Sequence, residues 1–327
     1  MIRAPSWLPF RVRSRWDQCR VRYALRHLDR TPPILAASVG DGTAELHMLV
    51  CRRDVRLAVL AVKSLFRFLN VSIGVTLTSD GSITRREQKW IDSHILNARW
   101  CERFACDGRL AEYPELRNLY RSNYHPLCKL LHPLLLGAAE RVIVLDPDTA
   151  FFAAPTRILE WIQSGAGHAL YVHDNQDESR QVPGEVREGF EEVRSLFVQA
   201  GCQWKMPYYF FNSGLLAYCR SDLCLDFAEM YLSWWKSAPK RFKSGKSALW
   251  FGNWTPEQTC YQTLFASMKV SPEPLGEQYQ IGAKANGVFN HFLWLQLVEE
   301  SSLRRLEGLV QVMSSKGEDA YSSLCGN

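Results

Sequence analysis

Arg141-Val-Ile-Val-Leu-Asp146-Pro-Asp148-Thr-Ala-Phe-Phe152 is the stretch on which the reading of this chain turns. Val142 to Leu145 is short, β-branched and unbroken, the pattern of a strand buried on both faces. Asp146 and Asp148 fall where that strand leaves its sheet. Carboxylates two residues apart at a strand end can point at one spot outside the sheet, and a hard divalent cation takes oxygen ligands arranged in that way. In open α/β sheets, ligands bind at the carboxyl ends of strands. The same letters admit a plainer reading. Asp and Pro punctuate turns, and Asp148 or Thr149 would also serve as the cap of a helix suggested by Pro155 to Trp161.

Outward from this strand, helical and extended patterns alternate. Upstream, Glu45 to Cys51 reads as a first strand. Asp54 to Leu69 follows as a helix, with Val55, Ala58, Val59, Val62, Leu65, Phe66 and Leu69 at helical spacing. Val71 to Thr78 is a second strand, closed by Ser79-Asp80-Gly81-Ser82, and Thr84-Arg-Arg-Glu87 is a capping box opening a helix through Ile95. Ala98 to Phe104 is a candidate third strand, and Leu127 to Leu136 a buried helix leading into the acidic pair.

Downstream come a helix around Arg157–Ile162, a strand from His168 to His173 ending in Asp174-Asn-Gln-Asp177, and a polar helical insertion from Gln176 to Gln203. Tyr208 to Tyr218 is an aromatic strand interrupted by Asn212-Ser213-Gly214, followed by a helix from Asp222 to Trp235 and a basic loop from Lys240 to Gly252. Thr255-Pro256-Glu257-Gln258 opens a helix to Met268, with Pro in its first turn. Asn286 to His291 is a last strand and Leu293 to Met313 a terminal helix. This alternation predicts an α/β domain, with a mostly parallel central sheet flanked by helices and joined by right-handed crossovers.

Composition narrows the class. With 46% hydrophobic and 22% charged residues the chain is an ordinary globular one, and 11 Trp with 16 Phe promise an aromatic core. No run approaches the ~18 consecutive apolar residues of a membrane span, and the N-terminus lacks the apolar core of a secretory signal. Ten Cys include no C-x-x-C pair; Cys128, Cys219 and Cys260 sit in apolar runs. A reducing, cytoplasmic setting is expected.

Charge is unevenly placed. Residues 1–30 hold eight Arg, no Lys or Glu and two Asp, a balance of +6 against a net +5, so the remainder carries −1. This arm, residues 1–33, also holds Trp7, Phe10, Trp16 and Tyr23 and ends at Thr31-Pro32-Pro33. Val21, Ala24, Leu25 and Leu28 share one helical face. A basic amphipathic helix with aromatic residues suits an anionic membrane surface, with the protein peripheral at the inner face of a membrane; the alternatives are a helix packed on its own domain or a loose tail. Nucleic acid is not expected, because the basic residues stop at Arg30 and no recognition motif follows.

Five pieces recur in one order: Lys129 in Cys-Lys-Leu-Leu-His-Pro, the strand ending in Asp146 and Asp148, Phe211-Asn212-Ser213-Gly214-Leu-Leu, Glu257-Gln258 opening a helix, and His291 in Phe-Asn-His-Phe. Together they resemble glycosyltransferases of the GT-A (nucleotide-diphospho-sugar transferase) fold, family 8 above all, the group of glycogenin and the bacterial lipooligosaccharide galactosyltransferases. The resemblance covers about residues 44–292. It implies a domain over 34–292, with a nucleotide-binding half (34–150) and an acceptor half (151–292), then a C-terminal helix and tail (293–327).

The resemblance also implies an activity: metal-dependent transfer of a sugar from a nucleoside diphosphate sugar, a UDP-sugar first, to a hydroxyl of a glycan, lipid-linked sugar or protein, with retention ahead of inversion. Asp146, Asp148 and His291 would hold Mn²⁺ or Mg²⁺. Cys51, Asp80, Lys129, Asn212 and Gly214 would join the acidic pair in binding the donor. Gln258 and Glu257 would sit at the reacting centre. Asp174 and Asp177 are candidates for the acceptor side, one serving as general base if the reaction inverted. The family often carries Gly and Lys just after its C-terminal His, the Lys gripping the diphosphate; here Phe-Leu-Trp-Leu-Gln follows His291, which leaves Lys129, Arg304 or Arg305 for that charge. Two other classes stay open: a nucleotidyltransferase, which would want a glycine-rich loop where Cys51-Arg-Arg-Asp54 stands, and a non-catalytic membrane-surface protein.

Overall fold

The computed structural model describes residues 9–38, 40–122, 124–164, 167–174, 184–203, 211–240, 256–282 and 287–324. Its strands are β1 (Ile34–Leu35), β2 (Ala44–Val50), β3 (Ile73–Ser79), β4 (Ile95–Leu96), β5 (Arg99–Cys101), β6 (Arg141–Leu145), β7 (Thr149–Phe151), β8 (Leu170–His173), β9 (Phe211–Cys219), β10 (Glu273–Pro274), β11 (Tyr279–Ile281) and β12 (Phe289–His291). Seven of them form the central sheet in the order β10-β8-β9-β6-β2-β3-β5. All neighbours run parallel except β9, which is antiparallel to both β6 and β8. The mostly parallel sheet expected from the alternation is present, and it is mixed because β9 returns beside β6.

The unbroken apolar run of β6 has its physical reason in the two layers. Ile143 and Leu145 point into one core cluster, Val142 and Val144 into the other. All four are fully buried, each contributing roughly 1.5–3 kcal/mol by leaving water. The first layer includes the helix Val55–Phe66, and the second includes the helices Leu127–Leu136 and Pro256–Ser267.

The edges of several elements differ from the sequence expectation, for local reasons. The helix opened by Thr84 has its full capping box but ends at Asp92. Ile95 and Leu96 instead pair with Ile34 and Leu35, and Asn97, at a φ of 63°, turns the chain into the short β5. The terminal helix is broken into Trp294–Leu297 and Glu300–Leu324. At the break, Arg20 Nη1 donates to Val298 O at 2.7 Å and Ser302 Oγ donates to Gln296 O at 2.6 Å, so carbonyls outside the helical ladder still find donors. The segment after the acidic pair is a strand, β7, and no cap: Thr149 Oγ1 donates back to Asp146 O at 2.7 Å, and the next helix starts at Thr156.

The basic arm contributes a helix, Phe10–Ala24. Val21, Ala24, Leu25 and Leu28 are buried in the same core cluster as Leu303, Leu306, Leu309 and Val310 of the terminal helix. The face that the sequence suggested for a membrane is thus occupied by the protein itself. Among the described residues no helix is long and apolar enough to cross a membrane.

Candidate active site

Backbone register brings three distant segments to one place. Beside β6, Leu145 pairs with Leu215 of β9, and Asp146 N–H donates to Gly214 O at 2.9 Å. Beside β7, Thr149 pairs with His291 of β12, and Phe292 N–H donates to Asp148 O at 2.8 Å. The acidic pair therefore lies between Asn212–Gly214 on one side and His291 on the other. The interruption read at Asn212-Ser213-Gly214 is a register shift: Tyr171 pairs with Leu216, but the next residue, Val172, pairs with Asn212.

Side chains close the arrangement. His291 Nε2 lies 3.2 Å from Asp148 Oδ1 and 3.7 Å from Asp146 Oδ2. One ligand atom each from Asp146, Asp148 and His291 falls within 4.8 Å of the others. The other oxygen of Asp146, Oδ1, is held by Lys129 Nζ at 2.7 Å. The same ammonium donates to Ser213 Oγ at 3.0 Å and lies 3.5 Å from Glu257 Oε1.

The tautomer of His291 follows from a neighbour. Asn212 Oδ1 accepts the Gly214 N–H at 2.8 Å, which fixes which end of the amide faces inward. The same oxygen lies 2.9 Å from His291 Nδ1, so Nδ1 must carry the proton there and donate. Nε2, facing the carboxylates, is the nitrogen with a lone pair for a metal. A ligating imidazole whose other nitrogen donates to a carbonyl is the usual support of a metal-bound histidine. Two carboxylates and an imidazole so oriented fit a divalent cation of the Mn²⁺ or Mg²⁺ kind. Gly214 is what lets this form: a Cβ there would overlap Nδ1 and Cε1 of His291.

Charge explains the tightness. Burial works against the Lys129 ammonium, but Asp146 and Glu257 beside it raise its pKa above the usual lysine value. Burial likewise disfavours the His291 imidazolium, yet Asp148 and Asp146 outweigh it and raise the pKa. Glu257, 2% exposed, is pushed up to about 7 by burial, partly offset by Lys129.

The remaining predicted residues spread along the carboxyl edge. Cys51 follows β2, and its thiol donates to Asp54 Oδ2 at 3.1 Å; burial pushes that thiol up to about 12. Asp80 follows β3, and its Oδ1 accepts from Ser82 N at 2.8 Å and Ser82 Oγ at 2.6 Å, forming an Asx turn. Gln258 Oε1 faces Ser213, accepting from its N–H at 3.2 Å and its hydroxyl at 3.3 Å, so the amide NH₂ is the end turned elsewhere. Asp174 directly follows β8, while Asp177 and residues 241–252 of the basic loop lie outside the described residues. Arg305 donates to Asn290 Oδ1 at 2.6 Å and Gly287 O at 3.1 Å, and Arg304 to Glu300 Oε1 at 3.2 Å. With Lys129 turned onto Asp146, all three cations considered for the diphosphate are engaged by the protein.

Two contributors were not singled out in the sequence. Ser213 links Lys129 to Gln258, and its place inside the Phe-Asn-Ser-Gly piece was the available signal. Tyr124 OH accepts the Glu257 N–H at 3.3 Å, for which a lone Tyr in a loop gives no sign.

Neither the scan of protein-family models nor the search of curated sequences returns a match. Solved structures do resemble the chain. Mouse xyloside xylosyltransferase 1 is similar over 77% of this chain and 98% of its own, at 13% identity and a TM-score of 0.48. The galactosyltransferase LgtC, in complex with donor and acceptor sugar analogs, is similar over 82% of this chain and 95% of its own, at 12% identity and a TM-score of 0.45. The mannosyltransferase Ktr4p of S. cerevisiae, in complex with GDP, is similar over 79% of both chains, at 11% identity and 0.43. The structures the chain resembles are glycosyltransferases, each at 13% identity or less and a TM-score below 0.5.

Proposed function

We propose that the chain is a metal-dependent glycosyltransferase that moves a sugar from a nucleoside diphosphate sugar, a UDP-sugar first, to a hydroxyl of a glycan, lipid-linked sugar or protein. The observation that carries this reading is the convergence of Asp146, Asp148 and His291 at the carboxyl edge of the sheet, with Nε2 of His291 turned to the acids. A divalent ion held there, Mn²⁺ ahead of Mg²⁺ given the imidazole, would neutralise the diphosphate as the nucleotide leaves.

The chain's own residues prepare that site. Lys129 cancels one carboxylate charge and leaves Asp146 Oδ2 as the free oxygen. Asn212 keeps the proton of His291 on Nδ1. Ser213 holds the Gln258 oxygen inward, which presents the amide NH₂ as a donor for the sugar or phosphate. Retention stays ahead of inversion on the resemblance: Glu257, the carboxylate beside the neutral Gln258, is buried against Lys129 and poorly placed to act as a base, and inversion would instead call on Asp174 or Asp177.

The test is titration of UDP with and without Mn²⁺, on the wild type and on Asp148→Ala. Binding that needs the metal and is lost in the variant is expected. Equal binding by both proteins, or none by either, would remove the donor site. The anomer of a product, once an acceptor is found, checks retention.

A further inference from the structure

The N-terminal helix Phe10–Ala24 has a second face, turned away from the core. Val12, Trp16, Cys19 and Tyr23 follow one another at i, i+4, i+7 and i+11, which on a helix is a single stripe. Val12 is 46% exposed, Trp16 48% and Tyr23 51%, and Cys19 is exposed as well. Arg11, Arg15 and Arg22 are exposed along one flank of this stripe. Tyr23 is covered by a fourth arginine, Arg26, at 4.0 Å from its ring. The one acid on the helix, Asp17, is turned inward toward Arg20 at 3.6 Å.

The helix is anchored, not loose. Arg20 is 2% exposed, donating to Val298 O at 2.7 Å and to Glu300 Oε2 at 3.3 Å. Arg26 pairs with Glu307 at 2.6 Å. Docking through the outer stripe would therefore not have to order the helix first.

We propose that this stripe docks the protein on an anionic lipid surface. Trp16 and Tyr23 enter the boundary between headgroups and acyl chains, where amphipathic rings are favoured. Val12 adds apolar area, and Arg11, Arg15 and Arg22 meet lipid phosphates, each strengthening binding by roughly fivefold. Charge decides for lipid over a second protein. A second copy of this face would set arginines against arginines, whereas an anionic bilayer offers each of them a counter-charge, and the first thirty residues carry eight Arg against two Asp. The surface is independent of the donor site, so either can fail alone.

The test pellets the full chain with phosphatidylcholine vesicles and with vesicles containing phosphatidylglycerol, at low and high salt. Two variants accompany it: Trp16→Ala with Tyr23→Ala, and Arg11→Glu with Arg15→Glu and Arg22→Glu. All five positions are exposed, and thermal melting checks that both variants fold. Binding to anionic vesicles that weakens with salt is expected, with a loss of about a hundredfold in the charge-reversed variant and at least about tenfold in the aromatic one. Equal binding to both vesicle types, no binding, or indifference to both variants would overturn the proposal. So would a dimer in lipid-free buffer that the aromatic variant dissolves, since the stripe would then be a protein interface.

Discussion

At the amino end of β2, Glu45 is buried at 4% exposure; at the carboxyl end of the adjacent β6, Asp146 and Asp148 lie beside the buried His291. Both places concentrate charge in a low-dielectric setting, yet they are finished differently. Glu45 Oε1 accepts from Arg99 Nη2 at 2.7 Å and from Thr76 Oγ1, and Oε2 accepts from the backbone N–H of Ala138 at 2.6 Å and of Ala139 at 3.3 Å. Every oxygen there is satisfied by the chain. At the other end, Lys129 satisfies one oxygen of Asp146, and the rest of the set converges with more negative than positive ligands. Burial and charge are common to both ends, so neither marks function. What separates them is whether the chain supplies its own counter-ligands.

Breaking the closed end should have the larger effect on folding. Glu45→Gln leaves Arg99 without its carboxylate and turns an NH₂ toward donors. A loss of about 3–5 kcal/mol is expected in denaturant unfolding, while Asp148→Ala should leave stability nearly unchanged. Acid should act through the same residue. Burial raises the Glu45 pKa, but the His47 imidazole, 3.3 Å from Oε2, and hydrogen bonds from Thr76 and Ala138 overcome it and hold the carboxyl far below its usual range. A folded pKa below the unfolded value of ~4.3 stabilises fully above that value and is lost as pH falls below it. Between about pH 5 and pH 3 the wild type should therefore lose stability more steeply than Glu45→Gln. Parallel curves would show that Glu45 is not the staple.

At the open end, Gly214→Ala sharpens the comparison from the other side. The new Cβ would collide with the His291 ring and come within 2.8 Å of Asn212 Oδ1. Overpacking of this kind costs about 1–3 kcal/mol. The telling readout is metal affinity, expected to fall about 10–100-fold because the support of a ligating histidine is displaced. Unchanged metal binding would mean that His291 Nε2 is not a ligand.

The sequence carried the parts of this comparison that are local. Val142–Leu145 as a two-sided strand, the acids at its end and the Thr84–Glu87 capping box depend on neighbours a few residues away, and all three appear as expected. The staple at Glu45 was illegible because its partners lie 31 to 94 residues off and none forms a motif with it. Lys129 was read as a hand for phosphate. Its helix is buried, and only the packed fold shows that its ammonium points at Asp146. Gly214 is expected from its motif among the donor-binding residues, yet the space a Cβ would need there is filled by a histidine 77 residues away in sequence. β7 escaped notice because three residues form a strand only when β12 is there to pair with them.

The smallest effect tests whether lying on the ligand edge is enough to matter. Thr84 caps its helix just after β3, where Thr84 Oγ1 accepts the Glu87 N–H at 3.3 Å and Glu87 Oε2 accepts the Thr84 N–H at 2.9 Å. Glu87 also holds Arg52 at 2.9 Å, directly beside Cys51. Thr84→Ala removes a cap worth about 1 kcal/mol, a drop of roughly 2 °C in Tm for a chain of this size. The Glu87–Arg52 pair remains, so metal-dependent UDP binding should stay within about twofold, well below one tenfold step. If UDP binding falls with the melting temperature, the capped turn belongs to the donor pocket, and the ligand end reaches across β2 to β3. If only stability moves, the open end is confined to the groups around Asp146 and Asp148, and the turn at Thr84 belongs with Glu45 among features that the chain completes by itself.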